Sequence, residues 1–240
     1  MIYVTADLHG DPDRLREAAA KRLKRQDTLI VLGDFGFLWR GDKAEQKLLK
    51  WLGKRPYTLL FLDGAHENYD LLREYAVESY AGGRARRISG RLYHLLRGEI
   101  YTIEGKKLLC FGGGESEDRL DREEGETWWR SELPTADELD NCMARLAENG
   151  GRVDYILTHT PPYRLRRFLL GESAETNRLE TFLDQVADQA DYGCWYFGRY
   201  HLDRAVSPKA VAVYRKIVPL WTEPKKRLFR RGDGQAQAVL

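Results

Sequence analysis

Two observations predict an α/β fold. Short apolar runs rich in β-branched residues recur along the chain, and segments of helical length and pattern separate them. "IYVTAD" (2–7) is the first such run. "PDRLREAAAKRLKR" (12–25) follows as a helix, with Pro12 suited to its first turn. "TLIVLG" (28–33) is a second buried strand, "KAEQKLLKWLGK" (43–54) a second helix, and "YTLLFLDG" (57–64) a third strand. A short helix is expected near "NYDLLREY". This βαβαβ order predicts a parallel core with right-handed crossovers.

The middle of the chain changes character. "RLYHLLRGEIYTIEGKKLLCFGGG" (91–114) reads as consecutive short strands with tight turns at Gly98 and Gly105. "ESEDRLDREEGETWWRSELP" (115–134) is polar and loop-like, yet carries two adjacent tryptophans. A helix at 135–149, the strand "YILTH" (155–159) and a helix at 177–190 come next, and "CWYFGRYH" and "AVAVYRK" (210–216) form a late β region. Without repeats or a linker, residues 1–231 read as one domain, and 232–240 as a frayed tail.

Bulk properties exclude several classes. The 240 residues carry a net charge of +2, with 42% hydrophobic and 32% charged residues, as in an ordinary soluble globular protein. No global field points to nucleic acid, and the basic run "KKRLFRR" (225–231) reads as a solvated face or tail. No stretch approaches the roughly 18 apolar residues of a membrane span. The N-terminal segment lacks a basic n-region and reaches Asp7 too soon for a signal peptide. Cys110, Cys142 and Cys194 are widely spaced and odd in number, which fits buried reduced thiols and a cytoplasmic location.

The chemistry lies at the strand ends. Asp7 and His9 follow the first strand, Asp34 the second and His66 the third; His159 and His201 end two later strands. Four of the five histidines therefore fall at carboxyl ends of strands, where open α/β sheets bind ligands. The fifth, His94, sits inside a strand and reads as structural. A mixed set of Asp and His side chains suits manganese, iron or zinc better than calcium. Such an ion can lower the pKa of water and polarise a phosphoryl oxygen.

These residues resemble the calcineurin-like metallophosphoesterase family, whose pattern runs DxH, GD, GNH[DE], H and GHxH. Here the matches are Asp7-Leu8-His9, Gly33-Asp34, Gly64-Ala65-His66-Glu67, His159 and Gly198-Arg199-Tyr200-His201. The resemblance implies two mixed β-sheets packed face to face with helices outside, and a two-metal centre that hydrolyses phosphoesters. It places Asp7, His9, Asp34 and His201 around one metal. It places Asp34, His159 and two replaced residues, Ala65 and Arg199, around the other. Alanine offers no ligand atom, and arginine offers only donors. One divalent ion is therefore expected to bind firmly, and the second weakly or not at all. Arg199 is expected to pair with Asp34 or clamp a phosphate in place of the lost ion; the alternative is that it swings to solvent.

The resemblance gives His66 a role in contacting substrate and assisting the leaving group. Asp63 is a candidate to orient it, or else a structural turn residue. The stretch 112–134 resembles an insert of a bacterial and phage branch of the family. In it, Gly112 to Gly114, Gly113 included, would let backbone approach the site, and Arg119 and Arg122 could pair with substrate phosphate. Trp128 and Trp129 more plausibly anchor the loop than stack on a ligand. The expected substrate is a phosphorylated small molecule, a nucleotide or a phosphoprotein. Near-neutral charge argues against a nuclease. The competing reading is a degenerate phosphoesterase fold that binds phosphate or a partner without turnover.

Overall fold

The computed structural model describes residues 1–171 and 175–220. The basic run at 225–231 and the expected tail at 232–240 lie outside them. Strands β1 (Ile2–Thr5), β2 (Thr28–Leu32) and β3 (Thr58–Leu62) pair in parallel, as the βαβαβ order requires. Helix α2 (Lys43–Gly53) crosses between the last two, capped by Asp42 accepting from Glu45 N–H.

The predicted helix at 12–25 is broken. A 3₁₀ turn, Pro12–Leu15, precedes the short helix α1 (Ala18–Lys21). The Asp11 carboxylate draws in the Asp13 N–H, and the tight turn carries Arg14 beneath the end of β1, where its guanidinium is buried. A helix run straight through from Pro12 would lose that anchor.

After α3 (Tyr69–Arg73) comes a hairpin that the sequence reading passed over, β4 (Val77–Tyr80) and β5 (Gly83–Ser89). Ala81 and Gly82 both take positive φ, the two-residue turn that favours Asn-Gly. Ala-Gly carries a weaker signal, and the exposed β4 shows no apolar alternation. β6 (Leu92–Leu95) then joins β3 in parallel. The first sheet runs β13-β1-β2-β3-β6-β5-β4, with β13 at Val218–Pro219.

The second sheet runs β11-β12-β10-β9-β8-β7. Its strands are β7 (Glu99–Ile103), β8 (Lys106–Phe111), β9 (Arg152–Thr158), β10 (Asp191–Phe197), β11 (Arg204–Ser207) and β12 (Ala210–Ala212). Helices α4 (Ala136–Glu148) and α6 (Arg178–Gln189) each start in a capping box. Helix α5 (Tyr163–Leu170) was also not foreseen; it starts after Pro161-Pro162 without a side-chain cap and buries none of its residues.

Strand alternation builds three apolar layers. Val4, Ile30, Leu60, Leu108, Leu157 and Tyr196 face each other between the sheets. Leu29, Val31 and Phe61 face outward beneath α2, while Ile156, Trp195 and Phe197 face α4 and α6. Both faces of the central strands are covered, so these strands read as unbroken apolar runs. The three cysteines are buried and unpaired. Among the described residues no helix is long and apolar enough to cross a membrane.

Candidate metal centre

The carboxyl ends of β1, β2, β3, β9 and β10 meet along one edge of the two sheets. An open pocket of about 380 Å³ there is lined by His9, Asp34, His66, His159, Arg199 and His201, together with Ala65, Glu115 to Asp118, Arg122 and Tyr200. Asp7 lies buried at its base. Five of the seven non-glycine residues with left-handed φ, among the described residues, belong to this site: Asp7, His9, Asp34, Arg199 and His201. Such conformations cost about 1–3 kcal/mol each and persist only where the surroundings fix them.

Asp34 is the hub. Its Oδ1 accepts the N–H groups of Ala65 (2.8 Å) and His66 (2.9 Å), and its Oδ2 lies 3.1 Å from His66 Nδ1. His9 Nε2 is 3.7 Å from Oδ2, and His159 Nε2 is 3.4 Å from Oδ1. A Cβ on Gly64 would fall 2.1 Å from Asp34 Oδ1, so only glycine admits the carboxylate there. Burial alone would raise the Asp34 carboxyl, but His159, His66 and His9 together hold it far below the ordinary carboxylate range. Burial, then the charge of Asp34, pushes Asp7 well above that range.

The donors fit a divalent cation. His159 Nδ1 lies 3.0 Å from the Leu32 carbonyl and so donates to it, leaving Nε2 with its lone pair. That Nε2 is buried with no hydrogen-bond partner. Burial, opposed by Asp34 and aided by Arg199, lowers the pKa of His159. His9 Nε2 and His201 Nε2 point at each other across 3.2 Å. Two buried acids and three converging imidazoles thus form a donor set that suits a divalent transition-metal ion. Among the described residues, two groups of three bring ligand atoms within 4.8 Å of one another: His9, Asp34 and His66, and Asp7, Asp34 and His159, joined through Asp34; His201, expected as a ligand, is in neither, and His66, not expected as one, is in the first.

Arg199 neither pairs with Asp34 nor swings to solvent. Its backbone N–H donates to both Asp7 oxygens, at 3.2 and 3.1 Å. Its Nη2 donates to the Glu115 carbonyl, while Nη1 is buried without a partner. A Cβ on Gly114 would sit 2.4 Å from Nη1, so that glycine makes room for the guanidinium. Gly113 does not line the pocket; its carbonyl accepts from Thr160 Oγ1.

Arg122 reaches the pocket and Arg119 does not. Arg122 Nη2 lies 3.0 Å from His66 Nε2 and is steadied by Asp118 at 2.8 Å. A guanidinium cannot accept, so Nε2 accepts and Nδ1–H donates to Asp34. Arg119, which does not line the pocket, pairs with the carboxylate of Glu115, which does, and offsets its charge.

Asp63 does not orient His66. Its Oδ1 takes His94 Nε2 at 3.0 Å, and its Oδ2 takes Arg97 Nε at 2.8 Å and the Tyr69 hydroxyl at 3.1 Å, all buried. His94 is thus the structural histidine expected. Trp129 anchors the 112–134 loop, donating to Asp70 Oδ2 at 2.8 Å and packing edge-on to Trp39. Two carboxylates brace the site, of which Glu132 went unread in the sequence and Glu67 entered only as part of the GNH[DE] match. Glu132 accepts the Ser116 N–H at 2.9 Å, and Glu67, fully buried, accepts the Phe35 N–H at 2.6 Å just after Asp34. Glu132 looks like a surface acid in the sequence, and only the "SELP" context sets it apart.

Compared with models of protein families, residues 1–214 match that of the calcineurin-like phosphoesterases. No curated protein matches the chain.

Proposed function

Because the chain belongs to the calcineurin-like phosphoesterase family, we propose that it hydrolyses phosphate esters with one firmly held divalent metal and a guanidinium beside an impaired second site. The observation that carries this reading is where the replaced residues fall. Ala65 and Arg199 line the pocket around His159 and Asp34, whereas Asp7, His9, Asp34 and His201 are all present. Those four would hold the ion, and Asp34 with His159 would make the remnant of the second site.

A bound manganese, iron or zinc ion supplies Lewis acidity for phosphoryl transfer. The chain's own groups do the rest. Asp34 holds the Nδ1 proton of His66, and this hydrogen bond is the main reason the His66 pKa is raised. Arg122 keeps His66 Nε2 in its accepting form in the resting site. When Arg122 turns to a phosphate oxygen, Nε2 is free to take a proton from water and deliver it to the leaving oxygen, which departs as the alcohol. Arg199 presents an unpaired N–H and a fixed positive charge from the opposite wall. The substrate class is a phosphomonoester on a small molecule, nucleotide or phosphoprotein.

Arg199 engages the Glu115 carbonyl rather than Asp34, which favours a second reading, a phosphate-binding protein without turnover. Elemental analysis and hydrolysis of an aryl phosphate with added manganese decide between them. The expected result is about one tightly bound ion per chain and measurable turnover. The Ala65→Asn/Arg199→His variant is expected to bind two ions and to turn over faster. A silent parent with an active variant would sink native catalysis, and two tight ions in the parent would sink the ligand assignment.

A further inference from the structure

The metal ligands come from both sheets: Asp7 and His9 follow β1 in one, and His201 follows β10 in the other. Something must fix the separation of those two strand ends before an ion can be gripped. Accepting the metal assignment above, we infer that Arg14 and Tyr214 form the clip that does so, and that Arg14 is a positioning residue for the intact metal site.

Arg14 is only 8% exposed, yet no carboxylate lies within ion-pair distance of it among the described residues. A buried guanidinium without an acidic partner is expensive unless its donors are satisfied in another way. Here they are spent on the β1 end and the loop opposite. Nη1 donates to the carbonyls of Ala6 (3.1 Å) and Asp7 (2.8 Å). Nη2 donates to Thr5 Oγ1 (3.3 Å) and to the Tyr214 carbonyl (2.6 Å). The Tyr214 carbonyl also takes the Thr5 hydroxyl at 2.9 Å and the Ala6 N–H at 3.2 Å. One planar group therefore ties the back of Asp7, itself at φ 51°, to residue 214.

The Tyr214 ring continues the connection. The Arg14 guanidinium lies over it at 5.1 Å from the centroid. Its other neighbour is the His201 ring, stacked at 4.4 Å and 17°. Asp203, two residues beyond His201, accepts the N–H groups of Tyr214 (2.9 Å) and Arg215 (3.1 Å), closing the loop on itself. The chain of contacts Asp7–Arg14–Tyr214–His201 fixes one ligand's backbone and the other ligand's ring plane. None of its intermediate members lines the pocket, so their effect on the ion runs through the ligands they hold.

The test is the manganese dissociation constant of the purified, folded protein, read from the electron paramagnetic resonance signal of the free ion. Arg14→Lys keeps the charge but cannot reach four acceptors. Tyr214→Leu leaves every Arg14 hydrogen bond in place and removes the ring that lies between Arg14 and His201, and Tyr214→Phe restores it. Arg14→Lys and Tyr214→Leu are each expected to weaken binding about 10- to 100-fold, with Tyr214→Phe near the parent. A purely structural role would lower the melting temperature of the metal-free protein and leave the dissociation constant of its folded fraction unchanged. If Arg14→Lys does not fold, Tyr214→Leu against Tyr214→Phe carries the test alone. Parent-like affinity in Tyr214→Leu overturns the clip while leaving the metal assignment standing. A parent that binds no manganese overturns both.

Discussion

Asp34→Asn is expected to abolish metal retention and to reduce phosphoester turnover to background. The substitution keeps the shape and one oxygen, so the N–H groups of Ala65 and His66 retain their acceptor. The other oxygen becomes an NH₂ facing His66 Nδ1–H, which is a donor against a donor. Turning His66 over to its other tautomer would aim Nε2–H at Arg122, again donor against donor. The negative charge shared by the two ligand groups is lost as well. Removing the charge relieves Asp7 and Glu67, both of which it repels, but gives up the attraction to the imidazoles that holds the Asp34 carboxyl low, so the metal-free variant should melt below the metal-free parent. Thermal unfolding with and without manganese reads the outcome. The parent should gain about 2.7 kcal/mol at a hundredfold excess of ion over its dissociation constant. The variant should gain nothing. A variant that keeps both the metal-induced stabilisation and turnover would show that Asp34 is not the shared ligand.

Asp63→Asn is expected to cost about 3–5 kcal/mol of stability, because it leaves the buried Arg97 guanidinium without its counter-charge and sets an NH₂ against His94 or Arg97. In a domain of this size that corresponds to a melting temperature lower by about 6–20 °C. Burial on its own would raise the Asp63 carboxyl, but Arg97 and then His94 hold it well below its usual value. A carboxylate depressed in the folded state stabilises above its unfolded pKa, about 3.9, and loses that contribution as the pH falls toward the folded value. The gap between parent and variant should therefore be full near neutrality and shrink below about pH 4. Urea unfolding at several pH values measures it, and a gap that does not change with pH would remove the ion pair as its cause.

Much of this was legible in the sequence, for physical reasons. A ligand that follows an apolar run and a glycine announces a strand end, so Asp34, His66 and His201 could be placed in one pocket before any coordinates were known. The parallel strands announced themselves because both their faces are covered. Features set by distant partners were not legible. Asp63 stands beside His66 in sequence, but it turns toward Arg97 and His94, which arrive from β6 and the turn after it. Arg14 looked like one more basic residue on an amphipathic helix, and only the loop at 214 reveals what it binds. Arg199 stands where the family pattern has a histidine, yet its direction depends on the backbone at Glu115 and the empty Cβ position of Gly114. The β4–β5 hairpin was missed because its turn is Ala-Gly, and α5 because it buries no residue fully and only half-covers Leu165 and Leu169.

The left-handed residues of the pocket have a practical consequence. Glycine adopts such a backbone at no steric cost, so the centre holds conformational energy that the fold could release by giving up a side chain. A search for heat-resistant variants would therefore find attractive substitutions at Asp7, His9, Asp34, Arg199 and His201, and would lose a candidate ligand or the guanidinium with each. Stability and chemistry pull in opposite directions at these five positions. Heat-resistant variants of this chain that keep its chemistry are better sought on exposed surfaces such as the outer face of α5 than at the strand ends.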